Sequence, residues 1–360
     1  MNLLELNRAT LARQALLERA PAATTPAAMV ERLLGLQAQE PKPPFIGLWS
    51  RIEGFRADDL RAALLSGDVV RATLMRATLH LMSGADYAAF RPALQPALDA
   101  AMASILKARG EGIEPGEVTA AARKLLARGR RLTFDEIREA LSAEFPDADD
   151  RALGYVTRTG VPLQMAATDD RWGYPRDAQF RLVTKTDPDS DPREMVRRYL
   201  AAFGPATPAD FQVWSGLKGA RALFKEIENE FEMIEGPDGK PLYDVPDGPR
   251  PGDDAAAPVR FLPAFDNLVL SHEDRSRVIA DADRPKLLGT GNLRVRPTFL
   301  VDGRVAGMWA IKATKKKATL TIEPFGKLAK RLQGELIGEG EALLRFAEPD
   351  VAALDVRFAA

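Results

Sequence analysis

Gln37 and Gln39 sit one residue apart in Leu34-Gly35-Leu36-Gln37-Ala38-Gln39-Glu40-Pro41, and their type and spacing could do chemistry. An apolar helical stretch ends there and a proline-rich turn is expected to begin. If the segment is extended, residues two apart point to one side, and both amides can act on one small object. Such a pair can orient a water or a base edge, but it is a poor metal site and a weak general base. Taken alone, it also fits the ordinary polar end of a helix.

A second polar run is Arg71-Ala72-Thr73-Leu74-Met75-Arg76-Ala77-Thr78-Leu79-His80-Leu81-Met82. In an extended chain Arg76, Thr78 and His80 alternate with Ala77, Leu79 and Leu81, giving one polar and one apolar face. That stripe suits phosphate contacts or the wall of a polar cavity, and equally a solvent-facing strand. Basic side chains cluster at Lys312, Lys315, Lys316, Lys317, Lys327, Lys330 and Arg331, and a smaller set is Lys218, Arg221 and Lys225. Either set could grip phosphates or form a solvated face. Of the two histidines, His80 and His272, the latter reads as structural or turn-forming.

Composition removes several chemistries. The 360-residue chain has no cysteine, which excludes disulfides, zinc fingers, iron–sulfur clusters and thiol catalysis. Two histidines far apart argue against a His-rich metal site. Fifty Lys and Arg against 51 Asp and Glu leave a net charge of −1, so nucleic-acid binding would depend on local patches. No P-loop, HExxH, GxSxG or GxGxxG is present, and Gly289-Thr290-Gly291 is only a fragment of a Gly-rich turn. No stretch approaches the roughly 20 apolar residues of a membrane span, and the N-terminus is charged and lacks a signal-peptide pattern. A soluble cytoplasmic protein is the expectation.

The elements that must position these residues repeat. Thr25-Pro26, Thr133 with Glu136, and Thr207-Pro208 with Asp210 are helix-start signals, opening helices expected over 27–36, 134–143 and 208–214. Each follows an amphipathic helix (6–19, 115–127, 192–202) and precedes a third (56–65, 149–158, 218–230). Strand-like runs come next at 69–74 and 78–82, and at 231–234 and 242–245 around Pro237-Asp238-Gly239; the second copy's wing is expected within 171–184. Helix–helix–helix–hairpin is the winged-helix order. The expected fold is therefore α+β, with three tandem winged-helix units at 1–85, 86–188 and 189–250. After a Pro/Gly/Asp-rich linker at 246–258, short alternating runs at 259–262, 267–270, 298–301, 305–311 and 318–322 follow. With a helix at 327–338 and a strand at 352–358, they suggest a β-barrel-like domain over 251–360. Asp302-Gly303 is the hairpin signal there.

Several blocks together resemble the bacterial winged-helix family of AlkZ-like DNA glycosylases. They are the glutamine segment, Gly47-Leu48-Trp49, the 74–81 run, Leu262-Pro263-Ala264-Phe265-Asp266-Asn267, Asp274-Arg275-Ser276, and Val301 through Trp309. The resemblance spans nearly the whole chain in order. It implies a C-shaped cradle and monofunctional hydrolysis of the N-glycosidic bond of alkylated purines in double-stranded DNA, with no metal or cofactor, by a monomer. Some members of that family unhook interstrand crosslinks. The family's Gln-aliphatic-Gln motif maps onto Gln37 and Gln39 as the catalytic residues, with the small Ala38 between them. The all-amide version is the one associated with resistance to crosslinks and bulky adducts. Substrate and DNA contacts are expected from Arg76, Thr78, His80, Lys315, Lys316 and Lys317. The competing reading is a non-catalytic winged-helix DNA-binding regulator; the acidic start of the third helix, Ala57-Asp58-Asp59, counts against a recognition helix there. A protein–protein scaffold is the third reading.

Overall fold

The computed structural model describes residues 1–287 and 295–359, and the Gly289-Thr290-Gly291 fragment lies outside them. The first helix, Leu3–Arg13, starts at an Asn2 cap closed reciprocally by Glu5, and the second, Pro26–Arg32, starts at Thr25 with proline in its first turn. The chain then reverses. Leu34 and Gly35 adopt φ of 50° and 91°, and Gly35 N–H returns to Val30 O at 2.9 Å. A Cβ at Gly35 would lie 2.9 Å from Leu81 O, so glycine is required both by conformation and by close backbone approach. This turn delivers the strand Leu36–Gln37.

The expected proline-rich turn is a helix instead, Lys42–Trp49, with Pro43 and Pro44 in its first turn. Proline costs little there, because the first-turn N–H groups have no intrahelical acceptor. The helix Ala57–Ser66 ends at Gly67, whose φ is 87°, and strands Val69–Thr73 and Leu79–Ser83 pair antiparallel behind it. Two further helices, Gly84–Phe90 and Gln95–Arg109, were not expected, although Ser83 caps the first by accepting from Asp86 N–H at 3.1 Å and Pro96 lies in the first turn of the second.

The second helix set is Pro115–Leu125, Phe134–Glu144 and Asp150–Gly160. The third is Pro192–Phe203, Pro208–Ser215 and Ala220–Glu226. The expected capping box forms at Thr133 with Glu136, and the expected Thr207 cap is closed into a second box by Asp210. The strand Gln179–Leu182 lies within the expected second wing and pairs with Leu163–Met165. That hairpin joins the first one: Val69–Thr73 pairs with Leu163–Met165, so one six-stranded sheet runs through both sets. Glu232–Glu235 and Pro241–Asp244 form a separate two-stranded sheet.

The C-terminal region is an open five-stranded sheet, not the barrel expected. Its strand order is Ala353–Phe358, Lys317–Pro324, Arg304–Ala313, Thr298–Val301, Arg260–Leu262. The parallel pair of strands is connected by the helix Lys330–Ala347, which packs its apolar side on the sheet. The two outer strands, Ala353–Phe358 and Arg260–Leu262, do not pair with each other. The Asp302-Gly303 turn has φ of 47° and 73°, the doubly positive geometry of a tight hairpin. The run 267–270 is a short helix, Asn267–Leu270, capped by Asp266. Its alternation is overridden because the Asp266 carboxylate accepts from Leu268 N–H at 3.0 Å.

Asp266 also ties the first helix set to this region. Arg51 donates to both of its carboxylate oxygens, at 2.9 and 2.8 Å, and the side chains are 0% and 1% exposed. Next to it, Asn267 Nδ2 donates to Gly35 O at 2.6 Å, two residues before Gln37. Removing one partner of such a pair leaves a buried charge unmet. Asp266→Ala is therefore expected to destabilise the fold by roughly 3–5 kcal/mol. Glu335→Ala, which breaks the exposed Arg331–Glu335 pair, should cost under about 1 kcal/mol. Denaturant midpoints check this; equal shifts in the two variants would contradict it.

Candidate active site

The glutamine segment forms the edge of the six-stranded sheet. Leu36 faces Leu81 and Gln37 faces His80 across the antiparallel ladder, and Ala38 N–H extends it by bonding Leu79 O at 2.7 Å. The condition that the segment be extended is met through Ala38, where a helix is expected from the sequence as far as Leu36, and the chain bends at Gln39. Gln37 is buried, whereas Gln39 is exposed. Both amide oxygens turn towards the neighbouring strand. Gln37 Oε1 accepts from Arg76 Nη2 at 2.9 Å, and Gln39 Oε1 accepts from Leu79 N–H at 3.3 Å.

Arg76 lies in the tight turn between the two strands, with φ of 54° beside Ala77 at 55°. Positive φ is unusual for such residues. Here it throws the guanidinium back across the sheet. Nη1 donates to the Trp214 carbonyl, and Nη2, besides Gln37, faces His80 Nε2 at 3.4 Å. Trp214 belongs to the last turn of Pro208–Ser215, where carbonyls lack intrahelical donors and a cation is favourable. Its ring is locked in an aromatic cluster with Tyr199, Phe203 and Phe211. Burial, aided by the cation of Arg275, lowers the Arg76 pKa to about 10, so it stays charged.

His80 Nδ1 lies 3.0 Å from Thr78 O. A carbonyl only accepts, so Nδ1 carries the proton and Nε2 presents its lone pair to Arg76. Burial first, and the Arg76 cation second, lower the imidazole pKa to about 3. The expected polar stripe is thus split. Arg76 and His80 join Gln37, while the Thr78 hydroxyl closes the turn by donating to Met75 O at 3.1 Å and Thr78 contributes only its carbonyl.

Arg71 is the site residue that sequence reasoning missed. It lies in Val69–Thr73, a strand buried along its whole length. Nε donates to Ala38 O at 2.8 Å and Nη2 to Gln39 O at 3.2 Å, so it holds the backbone of the glutamine segment. Its guanidinium stacks over Tyr174 with 5.0 Å to the ring centroid. Burial lowers its pKa to about 10 and raises that of the Tyr174 hydroxyl. The available signal was an arginine within an otherwise inward-facing run, which usually means a buried polar partner.

The lysines are placed elsewhere. Lys315 and Lys316 form the exposed tip between strands Arg304–Ala313 and Lys317–Pro324, and Lys317 pairs with Asp355 at 3.0 Å. None hydrogen-bonds the glutamine cluster among the described residues. Arg221 and Lys225 are exposed on Ala220–Glu226. His272 is structural: Nε2–H donates to Phe203 O at 3.0 Å, and the Ser271 hydroxyl donates to Nδ1 at 2.9 Å. Among the described residues, no group of three or more His, Asp or Glu is placed to hold a metal ion. No helix there is long and apolar enough to cross a membrane.

A family model described as "DNA glycosylase AlkZ-like" matches residues 30–346. A curated "Interstrand DNA cross-link repair glycosylase" from Streptomyces sahachiroi is 24% identical over 147 residues, which cover 39% of this chain and 38% of that relative. The aligned stretch is thus well under half of either protein. The solved structure of the Streptomyces sahachiroi DNA glycosylase AlkZ matches over 100% of both chains, with a TM-score of 0.78 and 21% identity. That likeness is one of fold.

The buried neutral His80 makes stability depend on acid. The unfolded imidazole takes a proton near 6.5 and the folded one only near about 3, so the unfolded state binds more protons between these values. Stability is fully present above about 6.5 and falls as pH drops towards 3, by up to roughly 1.4 kcal/mol per pH unit for this group. Denaturant midpoints measured from neutral to mildly acidic pH should fall, and His80→Gln should flatten the slope. An unchanged slope in His80→Gln would contradict the assignment.

Proposed function

Given that the chain belongs to the AlkZ-like DNA glycosylase family, we propose that it hydrolyses the N-glycosidic bond of cationic alkylated purines (N7 and N3 adducts) in double-stranded DNA. Gln37 and Gln39 are the catalytic residues of this reading. One observation carries it: the cluster of Gln37, Arg76 and His80 contains no group that exchanges a proton near neutral pH. The amides do not titrate, Arg76 keeps its charge to about 10, and His80 stays neutral down to about 3. These three groups supply no proton to a poor leaving group near neutral pH. An N7- or N3-alkylpurine already carries a positive charge and needs no proton.

The chemistry left to the protein is placement and polarity. A water oxygen forms the bond to C1′ as the C1′–N9 bond breaks. The bonding pair leaves with the purine and cancels its charge, and the proton of the water passes to solvent. Amide dipoles favour the developing oxocarbenium and hold the water in line. The product is an abasic site, and an undamaged purine is a non-substrate.

The curated relative is named for interstrand cross-link repair, and crosslinks joining two alkylated purines present the same cationic leaving group. We extend the proposal to their unhooking and to protection against a DNA-alkylating toxin. In the same reading, residues 1–85, 86–188 and 189–250 form three winged-helix units that, with the C-terminal sheet domain, cradle the duplex for a monomeric, cytoplasmic enzyme. Lys315, Lys316 and Lys317 then supply phosphate contacts from the hairpin tip.

The test is single-turnover release of N7-methylguanine from duplex DNA, followed as abasic sites. Wild type should release the base, and Gln39→Ala should be slower by roughly 10²–10³-fold. Tight binding with no release from any alkylated duplex would sink the glycosylase reading in favour of a DNA-binding regulator. Full activity in Gln39→Ala would move the catalytic role elsewhere, Glu40 being the first candidate.

A further inference from the structure

We infer that Arg76 is a positioning residue that fixes which end of the Gln37 amide faces the lesion, making Gln37 a hydrogen-bond donor and Gln39 the acceptor. This deepens the glycosylase reading and rests on it. The two glutamines then cease to be interchangeable polar groups and become a polarised pair.

The argument begins with donor counting. Guanidinium has five N–H donors and no acceptor, so the atom of Gln37 that meets Arg76 Nη2 at 2.9 Å must be the carbonyl oxygen. Turning the amide over would set NH2 against the half-buried Arg76 cation, losing a charge-assisted bond and adding repulsion. With Oε1 committed, Nε2 is the polar atom left to face a ligand, and no described residue accepts from it. Gln39 is different. Its Oε1 has one long bond, 3.3 Å from a backbone N–H, and the residue is exposed, so its carbonyl keeps a lone pair available.

Arg76 can enforce this orientation because it is itself over-determined. The Trp214 carbonyl accepts from its other terminal nitrogen. His80 offers it a lone pair, because Thr78 O fixes the proton on Nδ1. A Cβ on Gly216 would stand 3.3 Å from Arg76 N, so the turn is packed closely against the end of Pro208–Ser215. The charge is spent on three acceptors from three segments of the chain, none of them a carboxylate.

A water between the two amides would accept from Gln37 Nε2–H and donate one hydrogen to Gln39 Oε1. Its second lone pair then points at C1′, and its remaining hydrogen leaves to solvent as the C1′–O bond forms. An acceptor-only residue at position 37 cannot hold it this way.

Gln37→Glu decides the question, because a carboxylate keeps the bond to Arg76 and lacks the N–H donor. Base release should fall by roughly 10²-fold, with thermal unfolding and DNA affinity near wild type. A rate equal to or above wild type would show that position 37 works as an acceptor and overturn the assignment. Arg76→Met gives the second arm: it should lower the rate at saturating protein, yet add nothing in a Gln37→Ala background, since residues acting through one another are non-additive. Multiplying effects, with the salt dependence of DNA binding reduced by about one phosphate contact, would make Arg76 a phosphate ligand instead. If Arg76→Met does not fold, Gln37→Glu still decides. A wild type that releases no base overturns the glycosylase reading, and this assignment with it.

Discussion

A half-buried guanidinium with no carboxylate partner is the constraint around which the candidate site is organised. Desolvating an arginine is costly unless every donor finds an acceptor. Arg76 finds three acceptors: a helix-end carbonyl, an imidazole lone pair and the amide oxygen of Gln37. Each acceptor comes from a different element, so the cation fixes the relation between the Leu36–Gln37 edge, the Leu79–Ser83 strand and the Pro208–Ser215 helix. Arg71 does the corresponding work beneath the backbone by holding the carbonyls of Ala38 and Gln39. Two arginines therefore fix the glutamine segment, one through its side chain and one through its main chain.

The same arrangement explains why the site can be neutral in function while rich in charge. The positive charge of Arg76 is turned towards acceptors within the protein, including the negative end of a helix. His80 is kept unprotonated beside it, so no second cation forms next to Arg76. In the proposed reaction, what remains to face a substrate is amide polarity. That suits a reaction in which positive charge migrates from base to sugar and the enzyme adds only order and dipoles.

Much of this was legible in the sequence, because local signals and tertiary demands agreed. The Thr caps with their acidic partners at Thr133 and Thr207 opened the expected helices, and Asp302-Gly303 made the expected hairpin turn. The glutamine segment was legible only conditionally: a helix was expected through Leu36, whereas it ends at Arg32 and the chain is extended at Leu36–Gln37. Where sequence reasoning failed, a longer-range partner decided. Prolines 43 and 44 begin a helix because its first turn tolerates them. The run 267–270 coils because Asp266 both caps it and pairs with Arg51, a contact across more than two hundred residues. The C-terminal strands alternate as a barrel would, yet periodicity says nothing about closure, and the Lys330–Ala347 helix covers the open sheet. Arg71 was hidden because a polar residue in a strand shows its face, not its acceptor; Arg76 and Thr78 part because a turn with positive φ at Arg76 and Ala77 interrupts the expected alternation.

The most direct measurement of the central claim is the pH dependence of single-turnover N7-methylguanine release across mildly acidic to mildly alkaline pH. With His80 neutral down to about 3 and Arg76 charged up to about 10, nothing in the cluster titrates in that window. The expected profile is flat, with Gln37 and Gln39 both required. A limb or bell with an apparent pKa near 6 to 8 would reveal a proton-transferring group in the reaction and contradict catalysis by neutral amides on an already cationic base.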